Sequence, residues 1–204
     1  MTDTKERILT AALNLFAKDG YEAVSVSNIA DRLGITKGAL YRHYKNKRDI
    51  FDSIVERMYE IDAKRSVQYN VPKDTYETDA LSYKNVSWDS IKQFTVAQFV
   101  FWTEDSFASD FRKMLMLEQY RNKEIAELYA NCITVGPLSY MEDIFREMIA
   151  NGVIKNGNSK LLALEFYSPL YFLINASDGS ADKKALDLLN RHIEEFKNKN
   201  TAKE

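Results

Sequence analysis

Cysteine occurs once in the 204 residues, at Cys132. That excludes a disulfide framework and any zinc site built from several cysteines. Histidine occurs twice, at His43 and His192. Two leave little material for a metal centre, and neither metal nor cofactor is expected. Proline and glycine are scarce, 3 and 7 residues, whereas all-β folds need more turn residues. No apolar run approaches the roughly 18 residues that read as a membrane span. The opening MTDTKERILTAALNLF carries acids and no small-residue cleavage site, so no signal peptide is predicted and the expected location is the cytoplasm. Catalytic signatures are missing too: no Gly-x-Ser-x-Gly, phosphate loop, dinucleotide fingerprint or His-Glu-x-x-His. No enzyme is expected.

What is present is a helix-rich globular composition, 45% hydrophobic and 28% charged. The net charge of −2 hides an asymmetry. Residues 1–50 hold nine Lys/Arg against six Asp/Glu, and the remainder holds 19 against 24. Between Arg32 and Arg48 lie six basic residues (Arg32, Lys37, Arg42, Lys45, Lys47, Arg48) and no acid. A basic segment on an acidic chain points to a local polyanion-binding surface.

Periodicity organises the first fifty residues into short helices. Ile8, Leu9, Ala12, Leu13 and Phe16 form one apolar stripe over Thr4–Asp19, with Gly20 as its stop. Ser25 is an N-cap with Asn28 three residues on; Ile29, Ala30 and Leu33 face inward, and Gly34 ends that helix. Thr36 caps a third helix, whose Leu40, Tyr41 and Tyr44 have helical spacing. Asn46 caps a fourth, with Asp49 as a capping-box-like partner. Two short helices joined around Gly34-Ile35 have the form of a helix-turn-helix. In such a unit the N-terminal end of the second helix faces the bases of a major groove. Here that end is Thr36-Lys37-Gly38-Ala39. Lys37 can donate to a guanine or a phosphate, and Gly38 and Ala39 are small enough for close approach. Arg42 lies beside them. The hydroxyls of Ser25, Ser27 and Thr36 are within the repertoire of phosphate contacts, although Ser25 reads first as an N-cap and Tyr44 first as core.

The stretches ILTAALNLFAKDGYEAVSV and IADRLGITKGALYRHYKNKRDIF resemble the DNA-binding domain of a TetR-family transcriptional repressor over more than forty consecutive positions. The resemblance implies base or phosphate contacts for Tyr41 and His43, a core role for Leu40, and a phosphate contact for Lys47. It also implies a small effector bound by the larger domain. The expected architecture is all-α: a three-helix helix-turn-helix domain over residues 1–47 and a helical effector-binding and dimerisation domain over 48–204.

The larger part is acidic and dense in aromatics. Helices are predicted over Trp88–Glu104, Ser106–Tyr120, Asn122–Ala150 with a kink at Gly136-Pro137, Ser159–Ala176 and Ala181–Lys197. Its aromatic, Met and Tyr side chains suit a core or an adaptable apolar pocket. As pocket candidates we take Phe94, Phe99, Trp102, Met114, Leu117, Tyr120, Tyr129, Cys132, Tyr140 and Tyr171, for an apolar or aromatic effector. The penultimate helix is apolar nearly all round, and a helix greasy on every face must be buried on every face. Two copies would bury it in a four-helix homodimer interface, for which the candidates are Phe166, Leu170, Leu173, Ile174, Leu189, Ile193 and Phe196. The functional expectation is a ligand-responsive repressor that binds a pseudo-palindromic operator in double-stranded DNA. The alternatives are a constitutive DNA-binding protein and, further off, a helical enzyme with a vestigial DNA head.

Overall fold

A computed structural model describes residues 3–73, 75–177 and 182–202. Among them are eleven α-helices: α1 (Thr4–Asp19), α2 (Val26–Leu33), α3 (Lys37–Tyr41), α4 (Lys47–Gln68), α5 (Ala80–Lys84), α6 (Trp88–Glu104), α7 (Ser106–Glu118), α8 (Lys123–Ile133), α9 (Val135–Ala150), α10 (Ser159–Ala176) and α11 (Lys183–Asn200). The only β pairing among the described residues is the isolated bridge Ile154–Thr201. No helix among them is long and apolar enough to cross a membrane.

The chain forms two compact units. The first comprises Met1–Ile61 and Ser106–Tyr129. Its core gathers Ile8, Leu13 and Phe16 of α1, Ile29 of α2, Leu40 of α3, Ile50 and Ile54 of α4, and Phe111 and Leu115 of α7. Burying each such side chain stabilises the unit by about 2 kcal/mol. Tyr21 wedges edge-on between Phe16 and Phe51, with ring centroids 5.1 and 5.0 Å away. Polar bonds then fix α7 against α1 and α4: Asn14 donates to Asp110 at 3.2 Å, and the Arg57 guanidinium lies over Phe107.

The second unit comprises Asp62–Asp105 and Ala130–Glu204. Its centre is aromatic. Phe145 stacks on Phe196 at 5.5 Å, and Phe166 meets both rings edge-on at 5.5 and 5.0 Å. Leu170, Leu173, Ile174, Leu189 and Ile193 complete this core.

That packing corrects one expectation. The seven residues expected at a dimer interface, Phe166, Leu170, Leu173, Ile174, Leu189, Ile193 and Phe196, are all buried inside a single protomer. Helices α10 and α11 each offer two faces, and these seven belong to the inner ones. The outer face of α10 and α11 leaves Leu161, Leu164, Phe172 and Leu188 exposed, Phe172 by 67%.

The Gly136-Pro137 site also differs from expectation. The chain ends α8 at Ile133 and starts α9 at Val135, so it breaks rather than kinks. Pro137 falls in the first turn of α9, where the missing N–H has no intrahelical partner to lose. Helix α7 stops at Glu118, two residues before Tyr120. Ala181, the expected start of the last helix, lies outside the described residues, and α11 begins at Lys183.

Candidate nucleic-acid interface

The interface is built from local bonds that the chain makes with itself. Ser25 Oγ accepts from Asn28 N at 3.2 Å while Asn28 Oδ1 accepts from Ser25 N at 2.8 Å, a complete capping box. Each such cap is worth about 1 kcal/mol. Gly34 adopts the left-handed φ of 66°, which lets Ile35 N reach back to Ala30 O at 3.1 Å and turns the chain. Thr36 Oγ1 then accepts from Ala39 N at 3.1 Å and starts α3. Leu40 is fully buried and pins the helix to the core. With one face anchored, α3 turns Thr36, Lys37, Gly38 and Tyr41 to solvent, with Arg42 and His43 just beyond it; Ala39 is half-buried.

Charge sorts the basic residues into two groups. Arg48 donates to Asp52 and, through both terminal nitrogens, to Glu124, which holds its guanidinium firmly protonated and that carboxyl below its usual range. Lys47 Nζ donates to Tyr21 O at 2.8 Å and sits 4.3 Å over the Tyr21 ring. Its ammonium thereby fastens the α1–α2 turn to the start of α4, a role that the residue pattern did not reveal. Arg32, Lys37, Arg42 and Lys45, by contrast, are exposed, and none of their side chains forms an ion pair among the described residues. Ser25 is exposed but committed to its capping box, and Ser27 is half-buried. An open depression of about 400 Å³ beside α1 and α2 is edged by Asp19 and Asp31 together with Arg32, so two acids offset its one cation.

Tyr44 packs inside and is 2% exposed. Its hydroxyl donates to Lys5 O at 3.2 Å. Burial, with the Glu6, Asp49 and Asp3 carboxylates adding to it, pushes the phenol up to about 12. The folded state therefore keeps this proton where an unfolded tyrosine, near 10, releases it. Stability from Tyr44 is full below pH 10 and is lost between pH 10 and 12. Melting temperatures of wild type and Tyr44→Phe followed across that range should converge as pH rises; parallel curves would refute the assignment.

The pocket candidates fall in both units. Met114, Leu117, Tyr120 and Tyr129 belong to the first unit, and Phe94, Phe99, Trp102, Cys132, Tyr140 and Tyr171 to the second. Met114 is fully buried in its own core, whereas Tyr120 is 90% exposed and Leu117 is on the surface. In the second unit Phe99 is buried, and Phe94, Trp102, Cys132, Tyr140 and Tyr171 remain partly accessible. Tyr140 donates to Pro72 O at 2.9 Å, and burial raises its phenol. No group of three or more metal-binding side chains occurs among the described residues.

Comparison with known proteins places this geometry. The family model of bacterial regulatory proteins of the tetR family matches residues 8–54, the span from α1 into α4. The transcriptional regulator AcrR of Shigella flexneri is 43% identical over 54 residues, which cover 26% of this chain and 25% of that protein. The chain spans only a quarter to a half of the length of the curated relatives it matches. Two solved structures share the fold over nearly the whole chain. The ketosteroid transcriptional regulator KstR2 of Mycobacterium tuberculosis superposes with a TM-score of 0.69 at 14% identity, covering 100% of this chain and 97% of that one. SmeT, the repressor of the Stenotrophomonas maltophilia multidrug efflux pump SmeDEF, gives 0.62 at 20%, covering 98% and 91%.

Proposed function

Since this chain belongs, through its helix-turn-helix segment, to the TetR family of bacterial transcriptional regulators, we propose that it is a ligand-responsive repressor binding a pseudo-palindromic operator as a homodimer. The carrying observation is the pairing of an exposed, capped α3 with four exposed cations, Arg32, Lys37, Arg42 and Lys45, whose side chains form no ion pair among the described residues. Residues 1–47 act as the reading head. Lys37, Gly38 and Ala39 meet base edges, and Thr36, Tyr41, Arg42 and His43 meet bases or backbone. Ser27 at the start of α2 reaches phosphate, while the capped Ser25 and the Tyr21-anchored Lys47 hold the N-termini of α2 and α4, which themselves favour an anion, toward the backbone.

Residues 48–204 supply the effector site and the dimer contact. The exposed Leu161, Leu164, Phe172 and Leu188 give each copy an apolar face that a two-fold partner covers. The partly accessible aromatics of the second unit suit an apolar effector, and repression by the fold neighbour SmeT favours the same mode of action here. Bound effector favours a conformer whose two heads no longer match the operator, by no more than its differential affinity for the two states.

Selection from a randomised duplex library at moderate salt tests this. The expected product is an inverted repeat with half-sites roughly 34–36 Å apart, or a multiple. A Leu164→Asp, Phe172→Asp protein should sediment as a folded monomer and lose that repeat, because both side chains are exposed in the protomer. Enrichment of no sequence overturns the reading.

A further inference from the structure

The connection from α9 to α10 holds the same dipeptide twice, Asn151-Gly152 and Asn156-Gly157. Asn-Gly has a chemistry of its own. The glycine's backbone nitrogen can attack the carbonyl carbon of the asparagine side chain, because no Cβ stands in its way. The two copies meet different structural conditions.

Asn151-Gly152 is locked. Gly152 takes the left-handed φ of 71° that closes helix α9, and its N–H donates to Ile149 O at 3.0 Å. Its neighbours are held as well: Asn151 N donates to Glu147 O at 2.9 Å, and Val153 N to Met148 O at 2.8 Å. The Asn151 ψ of 3° sets the Gly152 nitrogen beside that of Asn151 and turned away from its Cβ. A five-membered ring through Cβ cannot close from there, so local opening must come first.

Asn156-Gly157 is open. Both residues are exposed. Neither the Gly157 N–H nor the Asn156 side chain makes a hydrogen bond among the described residues. The chain is pinned to either side instead. Lys155 N donates to Asn200 O at 2.8 Å and Ala202 N to Val153 O at 3.0 Å, around the Ile154–Thr201 bridge. Asn158 Oδ1 accepts from Leu161 N at 3.0 Å and caps α10. Asn156 and Gly157 are the link between that clamp and that cap, and the nucleophile on the link has no bond to break first.

We propose that Asn156 is a site of spontaneous modification, deamidation through a cyclic imide, and that Asn151 is spared by its hydrogen bonds. The Gly157 nitrogen bonds to Asn156 Cγ and gives up its proton. The Cγ–Nδ2 bond breaks, and ammonia leaves with that proton. Water then opens the imide. Breaking its Cγ–N bond leaves aspartate; breaking the other C–N bond leaves isoaspartate, whose main chain runs through Cβ. Water is the only co-reactant. Either product puts a carboxylate just before the first turn of α10. Isoaspartate also adds a methylene to a link held at both ends, so the Asn158 cap must shift.

The test incubates the intact chain in mildly alkaline buffer, folded and in urea. Peptide mass spectrometry after trypsin reads the two sites separately, because Lys155 lies between them. In the folded protein Asn156 should convert at least about tenfold faster than Asn151. In urea the two should convert at similar rates. A protein isoaspartyl methyltransferase with labelled S-adenosylmethionine should mark the Asn156 product. Gly157→Ala should slow conversion about tenfold. It should leave the fold intact, since an added Cβ there lies 3.8 Å from Leu162 Cδ1, an ordinary contact. In the isoaspartyl fraction, separated by its charge, hydrogen exchange at Leu161 N should quicken severalfold. Equal rates at both sites in the folded protein, or an unconverted Asn156, overturns the site. The same order persisting in urea puts the difference in sequence and overturns the role of the hydrogen bonds. Unchanged exchange at Leu161 overturns the link to the α10 cap.

Discussion

A Lys37→Ala, Arg42→Ala protein is expected to bind the selected operator about a hundredfold more weakly than wild type. Both side chains are exposed and neither has a carboxylate partner among the described residues, so the loss falls on DNA and not on the fold. The melting temperature should barely move, since surface changes of this kind stay within about 0.5 kcal/mol. Salt dependence adds a count. Each phosphate contact contributes about 0.9 to the slope of log affinity against log salt. If both residues touch phosphate, a single head loses about 1.8 from that slope and a homodimer about 3.6, so one titration reports contact and stoichiometry together. The single variant Lys37→Ala separates base from backbone: relaxed preference at one base pair marks a guanine contact, and equal loss on operator and random duplex marks a phosphate contact. Arg48→Ala is the control, because Arg48 is already held by Asp52 and Glu124. An unchanged slope in the double variant would remove α3 from the interface.

Local chemistry was the legible part of this chain. The Ser25 box with Asn28, the left-handed Gly34 and the Thr36 cap rest on contacts between residues at most five apart, and each appears where spacing predicted it. Helices α1, α6 and α10 have the predicted bounds for the same reason. What depends on which of two apolar faces turns inward was not legible. Phe166 and Phe172 are alike in sequence terms, yet one is 2% exposed and the other 67%. Lys47 shows a second limit. A lysine at a helix start reads as a phosphate ligand, and only the fold brings Tyr21 O within 2.8 Å of it.

Gly136→Ala is expected to be the most destabilising single methyl in the chain, at about 3 kcal/mol or more. Gly136 has no left-handed backbone to excuse it; what forbids a side chain is contact. A Cβ there would overlap the carbonyl oxygen of Asn131 and stand 2.8 Å from that residue's carbonyl carbon. The obstacle is backbone, the end of α8 itself, so no rotamer change relieves it. Gly20 differs in kind: its φ of 88° is the left-handed one that strains any side chain, and an added Cβ there meets a side chain, Glu118, rather than backbone. Relief at Gly136 means opening the break between α8 and α9. That break is held from both sides: Thr134 N reaches Ala130 O at 3.3 Å, Leu138 N reaches Thr134 O at 3.2 Å, and Tyr167 of α10 donates to Ile133 O at 2.7 Å. Shifting it therefore disturbs α10, whose inner face is the core of the second unit. Thermal unfolding should show a drop of about 10 °C for a chain of this size. Val135→Ala, which trims an exposed side chain one position earlier, should change little. If the two variants melt alike, α8 and α9 are not packed this tightly, and the Gly136-Pro137 pair is only the kink that the sequence suggests.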